Sequence, residues 1–321
     1  MKEINLFAIQ GFKIGHAQDE KAGTGISVFL FDDCFPVGVD IRGGGPASRE
    51  TPLLSPYMGA NGLHALVLSG GSAFGLDASG GVLQFLEERN IGFDTGITKV
   101  PLVCQSCIFD LALGEKNIRP TKEMAYQACI NANNTILLEG NIGVGIGASV
   151  GKMQGMDFAM KSGVGVFAVE YNGIQVGAFV VNNALGDIYH SETNKKLIGM
   201  YDRKHKNFLS SNEALLSTIQ RNENFFQPVT NTCLGIIFTN AQFNKAELGK
   251  ISSMAHNALA KTISPVHTMA DGDTIYTVST GKKKADINAI GLLSTLVMEK
   301  AIVRSATQAT SLYGLPSYQE I

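Results

Sequence analysis

Residues 26–31, 37–41 and 64–68 form short apolar runs of β type, and an amphipathic segment over residues 73–89 follows them. In that segment Phe74, Val82, Phe85 and Leu86 share one predicted helical face. The pattern predicts a mixed α/β chain. In VGVFAVEYNGIQVGAFVV two strand-like runs flank Asn172 and Gly173, the pair preferred in a type I′ turn, which predicts a β-hairpin. Further on, Asn244 is placed to cap a helix, with Glu247 three residues later as in a capping box and Leu248, Ile251, Ala255, Ala258 and Leu259 on one stripe. TIYTVST then reads as a strand and residues 284–308 as a long helix with an apolar face. The polar stretch 199–227 reads as a surface excursion. It ends just before PVTNTCLGIIFTNA, where Thr232 and Cys233 stand side by side at the mouth of an apolar run, 234–238. With no internal repeat and no low-complexity linker, a single domain over residues 1–321 is expected.

Composition narrows the class without naming a reaction. The chain has 321 residues, 45% hydrophobic and 17% charged, enough for a sizeable core. No uncharged apolar stretch reaches 18 residues and the first residues lack a secretory pattern, so a soluble, cytoplasmic protein without a membrane partner is expected. Net charge is −2, and the nearest basic run, Lys282 to Lys284, reads as a solvated turn; nucleic acid is not an expected partner. Five cysteines argue against a disulfide framework. Cys104 and Cys107 in CQSC have redox or zinc spacing, but no second pair accompanies them, so they read as structural thiols. The six histidines are scattered, with neither an HExxH motif nor an i, i+4 pair, and each alone reads as structural or surface; no metal is expected.

Glycine is abundant, 36 residues, and concentrates in IRGGGPASRE, SGGSAFGLDASGG and GNIGVGIGASVGKMQG. Backbone must turn sharply or approach something closely there. The cofactor motifs fail on spacing. In GASVGKM, Met153 follows Gly151-Lys152 where a P-loop needs Ser or Thr, and Ile146 stands where its first Gly belongs. Gly143, Gly145 and Ala148 lack the flanking strand and helix of a dinucleotide site. GGSAF around Ser72 lacks the last Gly of a nucleophile elbow. No cofactor is expected.

Thr232 meets the requirements of a different chemistry. A hydroxyl becomes a useful nucleophile when its own α-amine serves as base, after the preceding peptide bond is cut. A free α-amine titrates near 7.7–8.0, close to working pH. Such a residue must be Thr, Ser or Cys, behind a cleavable bond, at the start of a buried strand. Asn231-Thr232 fits, although Asn-Thr ahead of a strand is also common loop-to-strand chemistry, and this stretch alone favours that plainer reading.

GFKIGHAQDEKAGTGISVFL, GVDIRGGGPASRET, HALVLSGGSAFGLDASGGVLQFLEE, GNIGVGIGASVGK and PVHTMADGDTIYTVSTG together resemble the self-processing aminopeptidases. That family includes L-aminopeptidase/D-esterases, β-peptidyl aminopeptidases and the nylon-oligomer hydrolases. The resemblance implies an αββα sandwich, cut between Asn231 and Thr232 into chains 1–231 and 232–321 that stay together and assemble into larger homo-oligomers. It implies hydrolysis of small peptides or amides through a Thr acyl-enzyme. The Asn-Thr junction is most similar to the nylon-oligomer branch. By the same resemblance, Asp273 orients the Thr232 hydroxyl, Asp271 supports Asp273, and Lys152 lines the site. Asn183 supports the oxyanion, with Asn182 open as the alternative. Phe109 stands near where some members carry a catalytic Tyr, which leaves the oxyanion to Asn183 and backbone N–H groups. Two rivals remain: an acyltransferase of the ornithine-acetyltransferase type, whose lysine- and glycine-rich motif before the Thr is absent, and an uncut binding protein.

Overall fold

The structure, a computed structural model, describes residues 1–221 and 231–321. Eleven strands build its two main sheets: β1 (Lys2–Ile4), β2 (Phe12–Asp19), β3 (Thr24–Phe35), β4 (Val37–Ile41), β5 (Ala47–Arg49), β6 (Leu63–Ser69), β7 (Val103–Cys107), β8 (Val164–Tyr171), β9 (Ile174–Asn183), β10 (Thr232–Ala241) and β11 (Thr274–Lys283). One sheet runs β1-β8-β9-β10-β11-β4 and the other β2-β3-β6-β7-β5. Their inner faces bury one apolar layer, because alternate residues of each strand point the same way. Phe12 of β2 stacks on Phe238 of β10 at 4.0 Å between ring centres, and Phe29 meets Phe179 edge-on at 4.9 Å. Within that layer the Tyr276 hydroxyl finds Ser106 Oγ of the opposite sheet at 2.7 Å, which satisfies two buried polar groups at once.

Helices cover both outer faces. α1 (Ser79–Glu87) and α2 (Lys122–Ile130) pack Val82, Phe85, Leu86, Ala125 and Ala128 on Ile26, Val28 and Val67 of the smaller sheet. α4 (Lys245–Thr262) and α5 (Ile287–Thr307) cover the larger sheet, with Ile251, Ala255, Leu259 and Val297 among residues buried against Val180, Ile237 and Ile275. The layer order is therefore αββα, as expected.

Local signals mostly translate directly. Asn172 and Gly173 both take positive φ, 50° and 78°, and join β8 to β9. Asn244 and Glu247 form the capping box of α4, whose whole predicted stripe is buried. One reading is corrected. The helix predicted from residue 73 begins at Ser79, after a 3-10 stretch Ser72–Ala78, and Phe74 on that stretch is exposed, under the Arg119 guanidinium, while Val82, Phe85 and Leu86 are buried. Ser72 starts the stretch in the left-handed region, so the segment follows Gly71 through a turn and cannot carry one helical face. The 199–227 stretch contains a small hairpin, Tyr201–Asp202 with Asn207–Phe208, and α3 (Ser211–Gln220); its last part, 222–227, lies outside the described residues.

The glycine-rich segment expected to make close approaches does so. Gly143–Gly147 is a 3-10 turn lying against β3, close enough that a Cβ on Gly25 would sit 2.3 Å from the Gly143 carbonyl oxygen. Cys104 and Cys107 on β7 are buried free thiols, each pushed up to about 12 by burial, in keeping with a structural role.

Candidate active site

Thr232 opens β10, an inner strand of the larger sheet. Antiparallel pairing sets Asn183 directly opposite Thr232 and Asn182 opposite Cys233, and an isolated parallel bridge joins Asn231 to Asp271. Directly opposed residues share a face, and neighbours along a strand face opposite ways. Thr232 and Asn183 thus share one side while Cys233 and Asn182 share the other, where Cys233 Sγ lies 3.0 Å from Asn182 Oδ1 within the helix-covered core. Of the two asparagines, Asn183 is the one that shares the Thr232 side.

Asn231, Thr232, Asn183, Lys152, Asp271 and Asp273 are all buried. The Thr232 hydroxyl donates to the carbonyl oxygen of Asn231, across the bond expected to break. The same oxygen accepts the Gly272 N–H at 2.9 Å. Lys152 Nζ reaches the Asn183 backbone oxygen at 3.0 Å and its Oδ1 at 2.8 Å. Burial pulls this ammonium down to about 7, against the opposing effects of Cys233, Asp271 and Asp110. Asp271 is pushed up to about 6, first by burial and then by the neighbouring Asp273 charge.

The two aspartates hold different partners. Asp273 Oδ1 accepts the Cys233 N–H at 2.8 Å, and its Oδ2 accepts from His267, from Nδ1 at 2.8 Å and from the backbone N–H at 3.2 Å. Asp271 Oδ2 takes the Thr268 N–H at 2.8 Å and the Thr268 hydroxyl at 2.6 Å. In the chain continuous at Asn231-Thr232, Asp273 therefore grips the backbone just after Thr232, and the Thr232 hydroxyl goes to Asn231. Asn183 Nδ2 is likewise occupied, donating to the Phe109 carbonyl at 3.0 Å. The second donor on the Asn231 carbonyl oxygen, the Gly272 N–H, was missed in the sequence because a backbone group has no signature of its own. His267 was also missed. It lies six positions before Asp273, and nothing local marks it.

A cavity of about 120 Å3 opens beside Lys152, with Phe109, Ala112, Leu113 and Met156 among its walls. Asp110, also on its wall, is held by the Thr24 hydroxyl at 2.6 Å and the Gly71 N–H at 2.8 Å. A larger hollow, about 790 Å3, lies past the other end of β10, between Gln242 and Lys284, away from Thr232. Among the described residues no cluster of three or more His, Cys, Asp or Glu side chains suited to a metal ion occurs, and no helix is long and apolar enough to cross a membrane.

Two stacked sheets between helix layers, with a polar cluster at the start of an inner strand, are an arrangement of the Ntn-hydrolase fold. The L-aminopeptidase D-Ala-esterase/amidase of Ochrobactrum anthropi, described as a variant of that fold, superposes with a TM-score of 0.71 over 95% of this chain and 86% of that one at 16% identity. A Burkholderia β-aminopeptidase gives 0.67 over 97% and 89% at 15% identity. Residues 5–318 match peptidase family S58, and the chain belongs to that family. An uncharacterized aminopeptidase of Mycobacterium bovis is 32% identical over 98% of this chain and 96% of its own length. A 6-aminohexanoate-oligomer endohydrolase of Agromyces is 28% identical over 95% and 86%. The protein is a hydrolase of the aminopeptidase and amidase type.

Proposed function

We propose that Thr232 cuts the chain before itself and then serves as the N-terminal nucleophile that hydrolyses small peptides or amides. The observation that carries this reading is the Thr232 hydroxyl on the Asn231 carbonyl oxygen, whose other donor is Gly272 N–H. Oγ1 adds to the Asn231 carbonyl carbon, and the developing oxyanion already has an N–H aimed at it. The C–N bond then breaks, the Thr232 nitrogen leaves as an amine with the proton given up by Oγ1, and Asn231 is left as an ester on Thr232. Water opens the ester to an Asn231 carboxylate and a free Thr232 α-amine. Chains 1–231 and 232–321 result.

Before the cut no α-amine exists at residue 232, so a side chain must take the hydroxyl proton. Lys152, pulled down to about 7 and bonded to the cross-strand partner of Thr232, is the base we assign to this step. After the cut the α-amine takes that role, Oγ1 attacks the substrate carbonyl, the amine product leaves, and water releases the acyl group. Asp273 and Asp271 fix the strand entrance and supply negative charge for the new ammonium. Asn183 completes the oxyanion site once its amide turns from Phe109. The apolar cavity beside Lys152 suits an apolar substrate group next to the scissile amide.

Intact mass spectrometry of the purified protein tests this. We expect two chains, the smaller beginning at Thr232, and turnover of aminoacyl p-nitroanilides. A single uncut chain in an active preparation overturns the mechanism.

A further inference from the structure

His267 contacts Asp273 Oδ2 from two sides, through its backbone N–H and its ring. Both Asp273 oxygens already accept backbone N–H groups, Cys233 on Oδ1 and His267 on Oδ2, so the hydrogen in the 2.8 Å contact between Asp273 Oδ2 and the ring comes from His267 Nδ1. The residue holds this position at φ of 56°, in the left-handed region that a β-carbon disfavours. Its ring packs edge-on against His256 at 4.9 Å between centres, and His256 Nε2 in turn lies 3.0 Å from the Asp40 carbonyl oxygen of β4. A backbone kept in a sparsely populated region while its side chain grips a site carboxylate is over-determined by its surroundings. Histidine is not needed merely to turn the chain there, since Gly or Asn turns it at less cost.

We propose that His267 is a positioning residue: by holding Asp273 Oδ2 from two sides it aims Oδ1 at the Cys233 N–H, and so fixes the backbone that carries the Thr232 hydroxyl onto its target. The role rests on Thr232 being the nucleophile. His267 touches neither substrate nor the reacting atoms. It acts through Asp273 and the amide after Thr232, and the line runs His256, His267, Asp273, Cys233 N–H, Thr232.

The test compares His267→Gly with His267→Asn in the full-length protein. Both residues accept the left-handed backbone, but only Asn can place an N–H where Nδ1 stands. His267→Gly is expected to lower kcat about 10–100-fold, by analogy with the loss of groups that orient metal ligands from behind. KM should be nearly unchanged and self-cleavage slowed by a similar factor. His267→Asn should recover most of both rates. Equal behaviour of the two variants, whether both intact or both impaired, overturns the proposal. Should His267→Gly fail to fold, the natural protein still decides: nitrogen NMR of labelled histidine must find His267 protonated at Nδ1, and a ring protonated at Nε2 alone sinks the idea. Thr232→Ala is measured in parallel. If it still cuts itself and turns over substrate, the nucleophile reading fails, whatever the His267 variants do.

Discussion

Adjacent residues on a strand have opposite surroundings, and that separates the two candidate nucleophiles. Thr232 shares a side with Asn183, whose Oδ1 holds Lys152, whereas Cys233 faces the α4–α5 side with Asn182. Burial, reinforced by the charges of Asp273 and Asp271, pushes the Cys233 thiol well up, and a neutral thiol is a poor nucleophile. Thr232→Ala should therefore leave one uncut, inactive chain on a denaturing gel. Cys233→Ala should still be cut and active, with stability lowered modestly by the lost core atom. Lys152 sets a second expectation. As the proposed base for the first cut it must be neutral, and with its ammonium pulled down to about 7 it is protonated below that pH and neutral above it. Self-cleavage of pulse-labelled chains should rise with pH through about 7 and level off above. In Lys152→Met that limb should vanish and cutting should be slow throughout; an unchanged pH profile in this variant would remove Lys152 from the step.

The start of β10 works because loops approach it without side chains. A Cβ on Gly272 would stand 2.8 Å from Thr232 Oγ1, and one on Gly43 would stand 2.3 Å from the Asp273 nitrogen. Gly272 lies outside the left-handed region, so Gly272→Ala should fold while displacing the hydroxyl from the Asn231 carbonyl. Uncut chain should accumulate, detected by intact mass spectrometry, with a melting temperature close to that of Thr232→Ala; rapid complete cutting would show that the hydroxyl has room to spare. At this scale the sequence was legible where the signal is local. The hairpin at Asn172-Gly173 and the capping box at Asn244 depend on a few neighbouring residues, and both formed as read. The helix predicted from residue 73 started late because Gly71 and Ser72 both turn through positive φ, which apolar spacing does not encode. His267 and the Gly272 N–H escaped for another reason. Their partners, Asp273 and the Asn231 carbonyl, are fixed by the pairing of β10 with β9 and the Asn231–Asp271 bridge, which sequence spacing does not reveal. Thr232 stood out by its place ahead of a buried strand, although that stretch alone favoured plain loop-to-strand chemistry; Asp271, Asp273, Asn183 and Lys152 came from family resemblance.

Across the whole molecule, the place of the proposed cut relative to sheet order decides what self-cleavage would do to stability. In the order β1-β8-β9-β10-β11-β4, the strands after the cut, β10 and β11, lie between β9 and β4, which both precede it. β10 is antiparallel to β9 over the full run from Thr232↔Asn183 to Thr239↔Val176, and β11 is antiparallel to β4 from Thr274↔Ile41 to Val278↔Val37. Separating chain 232–321 would strip two ladders and expose a sheet edge on each side of both pieces, since unpaired strand edges carry unsatisfied backbone groups. It would also uncover Phe238 from Phe12 and Tyr276 from Ser106. Losing one such ring contact in a core costs about 3–5 kcal/mol when a Phe is cut to Ala, and the interface contains several. We therefore expect the two chains to co-elute in size exclusion after complete cutting and to separate only under denaturing conditions. Chain 232–321 expressed alone should be insoluble, and Phe238→Ala should lower the unfolding midpoint without changing where the chain is cut. Two chains eluting apart in native buffer would mean that this interleaving does not hold the cut protein together.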